Sequence, residues 1–305
     1  MIPAAREHDN IECPDHGPEP IRVPKSHRVL INRREAVALA DYGSCPQQDL
    51  LGEGASLVLM GGVPAVGVGH KTTLAARVGD ECSPDVFIGG PTFSLPANVT
   101  IEGGLEFKNK VIRDLYFLST TNAGRVLLDD LARTGRHVTI KPLRVPREVA
   151  APFLELPLPS FLEPAFEDGY GSRTEPDPPD TPVGEASDVT IYYDPDHSYS
   201  TLSEDDENTT TTTPQTDLFH EFVHAEHYAE GTALPPDQWA SENPVPRYPM
   251  REEEARTIGR GPWEDAGEMT ENTLRDELGL PRRDHIVAST KPASDGGPTN
   301  LRPGD

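Results

Sequence analysis

His220-Glu221-Phe222-Val223-His224 constrains this 305-residue chain more than any other stretch. Positions i and i+4 of an α-helix lie on one face, so the two imidazoles can reach one metal ion when the segment is helical. Glu221, next to the first histidine, then sits where a general base must sit to take a proton from metal-bound water. The flanking residues predict that helix. Thr213-Pro214 reads as an N-cap followed by proline at the first helical position. Leu218, Phe219, Phe222, Val223 and Ala225 supply apolar positions, and Glu230-Gly231 supplies a stop. The plainer alternative is a polar helix face with satisfied histidines. His227 falls one turn beyond His224 on the same side. A fourth protein ligand would close the position that a catalytic metal keeps open, so His227 reads as a neighbour of the ligands rather than one of them.

A three-ligand site needs one more donor from elsewhere in the fold. About thirty positions past His224 lies Glu252-Glu253-Glu254-Ala255-Arg256-Thr257-Ile258-Gly259. By themselves three consecutive glutamates are a solvated helix start, favoured by the helix dipole. After the two histidines, the string resembles the E-E-x-R-T-x-G segment of clostridial neurotoxin light chains and of the NleD-type effector metallopeptidases. That resemblance implies Glu254, two before Arg256, as the third ligand, with Glu253 holding a ligand histidine in its tautomer. Neighbouring helical residues point about 100° apart, so only one of the three glutamates can face the histidines. Asp265 and Glu268 are the next candidates if the third ligand lies elsewhere.

The likeness to the NleD-type family extends over residues 105 to 286. Phe107 to His137, with Val111, Leu115, Leu118, Leu127, Leu128 and Leu131, is similar to that family's opening helices, followed by the strand Val138-Thr139-Ile140. Thr190-Ile191-Tyr192-Tyr193-Asp194-Pro195 resembles the strand before the metal helix, and is expected to pair with an extended substrate. Glu271-Asn272-Thr273-Leu274-Arg275 through Arg283 resembles the closing signature. One departure matters. The family tends to end on an arginine and, three positions on, a tyrosine, a pair that stabilises the oxyanion; here Arg283 is followed at that spacing by Ile286. Either His285 or Tyr248 substitutes, or the task rests on zinc and Arg283. The resemblance implies an α+β zincin-like zinc endopeptidase.

The first hundred residues read differently: short apolar runs separated by glycine- and proline-rich turns, the pattern of many short strands. Val29-Leu30-Ile31-Asn32, Val58-Leu59-Met60-Gly61-Gly62 and Val86-Phe87-Ile88-Gly89-Gly90 recur every 28 or 29 residues. A repeat of that period means stacked units that bury one another's apolar faces. Over residues 10 to 92 it resembles the PAAR family, the small conical all-β domains that tip the type VI secretion spike. Such domains are too small for a large core and are commonly pinned by a metal. The resemblance implies a structural zinc with Cys13, His16, Cys45 and His70 as candidates and Cys82 as the spare; plain buried thiols are the alternative. Three cysteines, an odd count, argue against a disulfide scaffold.

Composition excludes several classes. A formal net charge of −24 makes nucleic acid and anionic membranes poor partners, since affinity for both is driven by lysine and arginine. No N-terminal segment resembles a signal peptide, and no run approaches the ~20 apolar residues that span a bilayer. Residues 163–188 and 203–217 are acidic and rich in proline or threonine, and are expected to be mobile loops. The expected organisation is multidomain: residues 1–97 a PAAR-like spike tip, 98–287 the metallopeptidase and 288–305 a disordered tail. The implied activity is that of a toxin made in the bacterial cytoplasm and delivered into a target cell by type VI secretion. Its implied partners are a VgrG-like spike protein, a protein substrate and a cognate immunity protein. The alternative is a non-catalytic spike-tip adaptor whose second domain uses zinc as a staple. Glu221 and an open coordination position distinguish the two.

Overall fold

The computed structural model describes residues 1–24, 27–45, 49–143, 172–196, 198–202, 209–236, 238, 251–264 and 266–283. They form two compact units: Met1–Pro96 with Gly103–Ser119, and Ala97–Glu102 with the chain from Thr120 onward.

In the first unit the repeat is a hairpin. Leu30–Ile31 pairs with Arg34–Glu35 across Asn32-Arg33, and the end of Glu53–Met60 pairs with Val63–Ala65 across Gly61-Gly62. Both central residues of each turn have positive φ, 51° and 66° in the first, 63° and 87° in the second. That two-residue turn matches the twist of the flanking strands, and Gly or Asn adopts it most readily. The third copy, Phe87–Ile88, pairs with Ile2–Pro3 instead. Backbone hydrogen bonds then close a ring: Ala5 N–H donates to Val66 O, Val66 N–H to Val37 O, and Val37 N–H to Ala5 O, at 2.9, 3.0 and 3.1 Å. The ring relates three copies about a pseudo-threefold axis. Ala5, Val37 and Val66 are buried there with Ile11, Ile21, Leu51 and Val78. Three turns are closed alike by the side chain three positions on. Arg6 N–H donates to Asp9 Oδ2 (2.8 Å), Ala38 N–H to Asp41 Oδ2 (2.9 Å) and Gly67 N–H to His70 Nδ1 (3.2 Å).

Helix α1 (Leu105–Thr120) lies almost wholly in this unit. Tyr116 meets Phe93 edge-on with centroids 5.4 Å apart and donates to Ser56 O at 3.2 Å, and Asn109 Nδ2 donates to Ala40 O at 2.7 Å. The sequence groups this helix with the residues after it, but its aromatic and amide contacts fall among the first hundred residues.

The second unit is built on a four-stranded sheet, its strands numbered here from the start of that unit. They are β1 (Val99–Ile101), β2 (Val138–Pro142), β3 (Arg173–Asp177) and β4 (Asp188–Tyr193), in spatial order β1-β2-β4-β3. β1, β2 and β4 are parallel and β3 is antiparallel at the edge. Helix α2 (Asn122–Thr134) is capped by Thr121 Oγ1 on Gly124 N–H and stopped at Gly135. Val138, Ile140, Val189, Ile191 and Tyr193 are buried. β4 is paired on both sides, Val189 with Val138 and Ile191 with Thr174, so it has no edge to offer a substrate. That corrects the expectation drawn from sequence; β3 holds the edge, with no further strand on its outer side among the described residues.

Helix α3 (Pro214–Glu230) starts and stops where its punctuation requires. Thr213 and Thr216 form a reciprocal capping box, proline takes the first turn, and Gly231 at φ 70° ends it. Tyr193 Oη donates to Pro214 O at 2.9 Å and fixes the helix start on the sheet. Two acidic segments expected to be loops carry strands. β3 lies in the first, and β6 (Thr209–Thr212), paired with β5 (Tyr199–Leu202), lies in the second. Consecutive β-branched threonines favour extended backbone despite their polarity. Residues 163–171, 203–208 and the tail fall outside the described residues. Short helices α4 (Glu252–Ile258) and α5 (Glu271–Glu277) complete the unit. Among the described residues no helix is long and apolar enough to cross a membrane.

A Cβ on Gly231 would sit 2.7 Å from Ala186 N, whereas one on Gly135, also left-handed at φ 71°, would meet nothing within 4 Å. Gly135→Ala therefore meets only the left-handed penalty, about 1–2 kcal/mol, and Gly231→Ala meets a backbone clash besides. Thermal melts should show the larger fall in Tm for Gly231→Ala; equal melts would remove the clash argument.

Candidate metal centre

α3 projects His220 and His224 from one face, and the first turn of α4 brings Glu254 across from them. His220 Nε2 lies 3.3 Å from Glu254 Oε2, His224 Nε2 lies 3.3 Å from Glu254 Oε1, and the two Nε2 atoms are 3.1 Å apart. Tetrahedral donors each about 2.0–2.1 Å from zinc stand roughly 3.3 Å apart, and with one oxygen of Glu254 the three donor atoms lie within 4.8 Å of one another, so the set fits zinc. Among the described residues no fourth His, Cys, Asp or Glu joins this trio.

The far side of each ring is held by a carboxylate. His220 Nδ1 faces Glu271 Oε2 at 2.9 Å, and His224 Nδ1 faces Glu253 Oε1 at 3.3 Å and Thr257 Oγ1 at 3.2 Å. Such partners keep the proton on Nδ1 and aim the Nε2 lone pair into the site. His227 Nδ1 reaches Glu253 Oε1 at 2.6 Å, and Leu234 N–H donates to Glu253 Oε2 at 2.9 Å. His227 and Glu253 thus stand behind His224, on the side away from Glu254. Glu252 is turned away and accepts the Trp263 indole N–H at 2.9 Å; Glu268 takes the Arg256 guanidinium at 2.7 and 3.2 Å. Asp265, Tyr248, His285 and Ile286 lie outside the described residues.

Sequence alone gives Glu271 no role at the candidate site. It is fully buried and receives Arg275 Nε on Oε1 and Arg283 Nη1 on Oε2, both at 2.7 Å, besides facing His220. Arg283 is only 2% exposed. Its guanidinium contacts Glu271, so in this arrangement it reaches His220 through that carboxylate. The usable signal was the capping box Thr270-x-x-Thr273, which marks Glu271 as the first residue of a helix.

Glu221 is 4% exposed and accepts the Thr174 hydroxyl on Oε2 at 2.7 Å. Burial pushes its carboxyl up to about 7, against the pull of His220, His224 and Thr174. A base near neutral pH suits proton transfer at neutral pH. Burial disfavours a charged His220, but contacts with Glu254 and Glu271 outweigh it and raise the imidazole to about 9. Burial likewise opposes ionisation of Glu254 and Glu271, yet their cationic neighbours hold both well below the usual carboxylate range.

In the first unit Cys13 Sγ and Cys45 Sγ lie 3.4 and 3.3 Å from His16 Nδ1, and the three form a second potential donor group. His70 is not in it, which corrects the four-residue expectation. Its Nδ1 closes its own turn on Gly67 N–H, the task Asp9 and Asp41 perform in the other copies. Cys82 donates to Gly79 O, and burial pushes its thiol up to about 12.

Comparison with known proteins finds two likenesses. The model of the effector protein family Peptidase_M91 matches residues 96–286. The chain is also similar to the Clostridium botulinum neurotoxin serotype F light chain, with 14% identity and a TM-score of 0.34. That likeness covers 65% of this chain and 55% of the light chain, so the match spans about half of the latter's length. No curated protein matches the chain at a significant level.

A metal entering between His220 and His224 must displace a proton while His220 is protonated, which holds below its pKa of about 9. Zinc affinity should therefore rise with pH toward about 9, by about tenfold per unit for each proton displaced. Competition titrations at pH 6.5, 7.5 and 8.5 check the sign; an affinity flat with pH would contradict it.

Proposed function

This chain belongs to the Peptidase_M91 family of effector proteins, and from that membership we propose that it is a zinc-dependent endopeptidase acting on a protein of a target cell. The observation that carries the reading is the convergence of His220 Nε2, His224 Nε2 and Glu254 within ligand range of one another, with Glu221 buried beside them but outside the donor trio. That favours catalysis over a zinc staple, which would use four protein ligands.

His220, His224 and Glu254 would hold the ion; when bound, zinc supplies a Lewis acid for the scissile carbonyl and a water acidified enough to attack. Glu221 takes the water proton and passes it to the leaving amine. Glu253 and Glu271 keep the two imidazoles in the ligating tautomer, with His227 bonded to Glu253 and Arg283 to Glu271. We assign Arg283 this supporting part. The outer side of β3 is the edge on which an extended substrate segment would pair, since added strands gain backbone hydrogen bonds.

For residues 1–97 we propose delivery. The three-copy repeat, its closed ring of backbone hydrogen bonds and its buried alanine and valine core support a PAAR-like tip seated on a VgrG-like spike of a type VI secretion system. Residues 98–287 are the proposed cargo, and a cognate immunity protein in the producing cell follows from that role. Cys13, His16 and Cys45 are the proposed donors of a structural zinc in the tip.

Glu221→Gln should keep zinc and fold while losing proteolysis, because only the proton carrier is gone. His220→Ala and His224→Ala should each lose the C-terminal zinc, since two remaining ligands hold it weakly. Metal content alongside cleavage of target-cell lysate checks both, and a Glu221→Gln protein as active as the native one would sink the peptidase reading. The glutamates should rank Glu254→Gln worst, then Glu253→Gln at about 10–100-fold in affinity or activity, with Glu252→Gln near native. Retained zinc in Glu254→Gln with loss in Glu253→Gln would shift the ligand by one residue.

A further inference from the structure

Edge strand β3 is fastened to helix α3 by two hydroxyl–carboxylate contacts. Ser172 Oγ, just before the strand, donates to Asp217 Oδ2, and Thr174 Oγ1 donates to Glu221. Ser172 and Thr174 are two apart and so share one face of extended chain; Asp217 and Glu221 are four apart and share one face of the helix. The two contacts therefore fix the register of strand on helix. Thr174 Oγ1 stands 2.7 Å from Glu221 Oε2 and 3.0 Å from Glu221 O. Its one proton goes to the carboxylate, the closer and charged acceptor. The threonine backbone is itself anchored, paired with Ile191 of β4.

We infer that Thr174 is a positioning residue for Glu221: its hydroxyl fixes the carboxylate by Oε2 and leaves Oε1 as the oxygen that takes the proton. This rests on the reading of Glu221 as general base. The arrangement needs no rearrangement during proton transfer. When Oε1 gains a proton, Oε2 becomes the carbonyl oxygen of the acid and still accepts from Thr174. A carboxylate without that donor would lose its fixed rotamer and spend less time in the reactive one. The same threonine belongs to the strand whose outer edge is the proposed substrate edge. One residue thus ties the position of the base to the position of the peptide.

The test compares the native protein with Thr174→Val, which keeps the β-branched shape without the hydroxyl, and Thr174→Ser, which keeps the hydroxyl. Crystal structures of all three read the Glu221 carboxylate directly. It should hold its place in the native and Thr174→Ser proteins and leave it in Thr174→Val. Turnover is read on a quenched-fluorescence peptide selected from a random library with the native protein. Thr174→Val should lose about 10–100-fold in kcat, the range for a neighbour of a reacting group. KM and zinc content should stay within about twofold, and Thr174→Ser should recover most of the loss. An unmoved carboxylate in Thr174→Val, or a Thr174→Ser protein as slow as Thr174→Val, would overturn the inference. Failure of the peptidase reading looks different. There Glu221→Gln keeps native turnover, or the native protein cleaves no peptide, and the carboxylate position in Thr174→Val still decides the part played by Thr174.

Discussion

One buried carboxylate ties the candidate metal centre to the packing of the unit. Glu271 faces His220 and receives two guanidiniums, Arg275 and Arg283, in a volume closed to solvent. Through Arg275 it also reaches Thr212 Oγ1, one residue before the N-cap of α3. The end of the described chain is thereby tied to the start of the helix that carries His220 and His224. Removing one member of such a group leaves uncompensated buried charge, typically about 3–5 kcal/mol. The same contacts that orient His220 therefore also hold α5 against α3, so ligand orientation and the packing of the unit are not separable there.

The fold was legible where local chemistry alone decides it. Thr213-Pro214 and Glu230-Gly231 bounded α3 because capping and left-handed termination are properties of neighbouring residues. The repeat of the first unit was legible because Asn32-Arg33 and Gly61-Gly62 sit at its fixed offsets. What sequence could not supply was pairing across distance. β4 read as a strand, but its two neighbours are set by β2 and β3, the latter hidden in an acidic, proline-rich stretch. Alternation is weak in Arg173-Thr174-Glu175-Pro176-Asp177 because an edge strand needs little apolar surface. Helix α1 shows the same limit: its apolar face does not say which core it enters.

At the site, the helical spacing gave His220, Glu221 and His224, and the resemblance gave Glu254 and Glu253. Thr174 and Glu271 were invisible, since a threonine on a strand and a glutamate at a helix start are common and only tertiary contact gives them a task. His70 failed in the opposite direction. Histidine near cysteines suggests a ligand, yet the position recurs as Asp9 and Asp41, and what the fold requires there is an acceptor for the N–H three residues back. A neutral imidazole Nδ1 meets that requirement as a carboxylate does. Burial, which lowers the His70 pKa, keeps the ring neutral for it.

Carboxylates crowd the candidate centre. Glu253, Glu254 and Glu271 are held ionised against burial, and among the described residues Arg275 and Arg283 pair with Glu271, so the carboxylates outnumber the guanidiniums at the histidine face even before Glu221 ionises. A buried excess of that kind draws in a cation or protons. The imidazoles respond to it. His220 climbs to about 9 and His224 well above its ordinary value, although burial pushes both the other way. A divalent ion between the same two Nε2 atoms would supply the charge that those protons supply, and would leave both rings neutral and ligating. With two positive charges beside it, Glu221 would then ionise below its value of about 7. Binding a divalent ion and ionising Glu221 would thus be one electrostatic event.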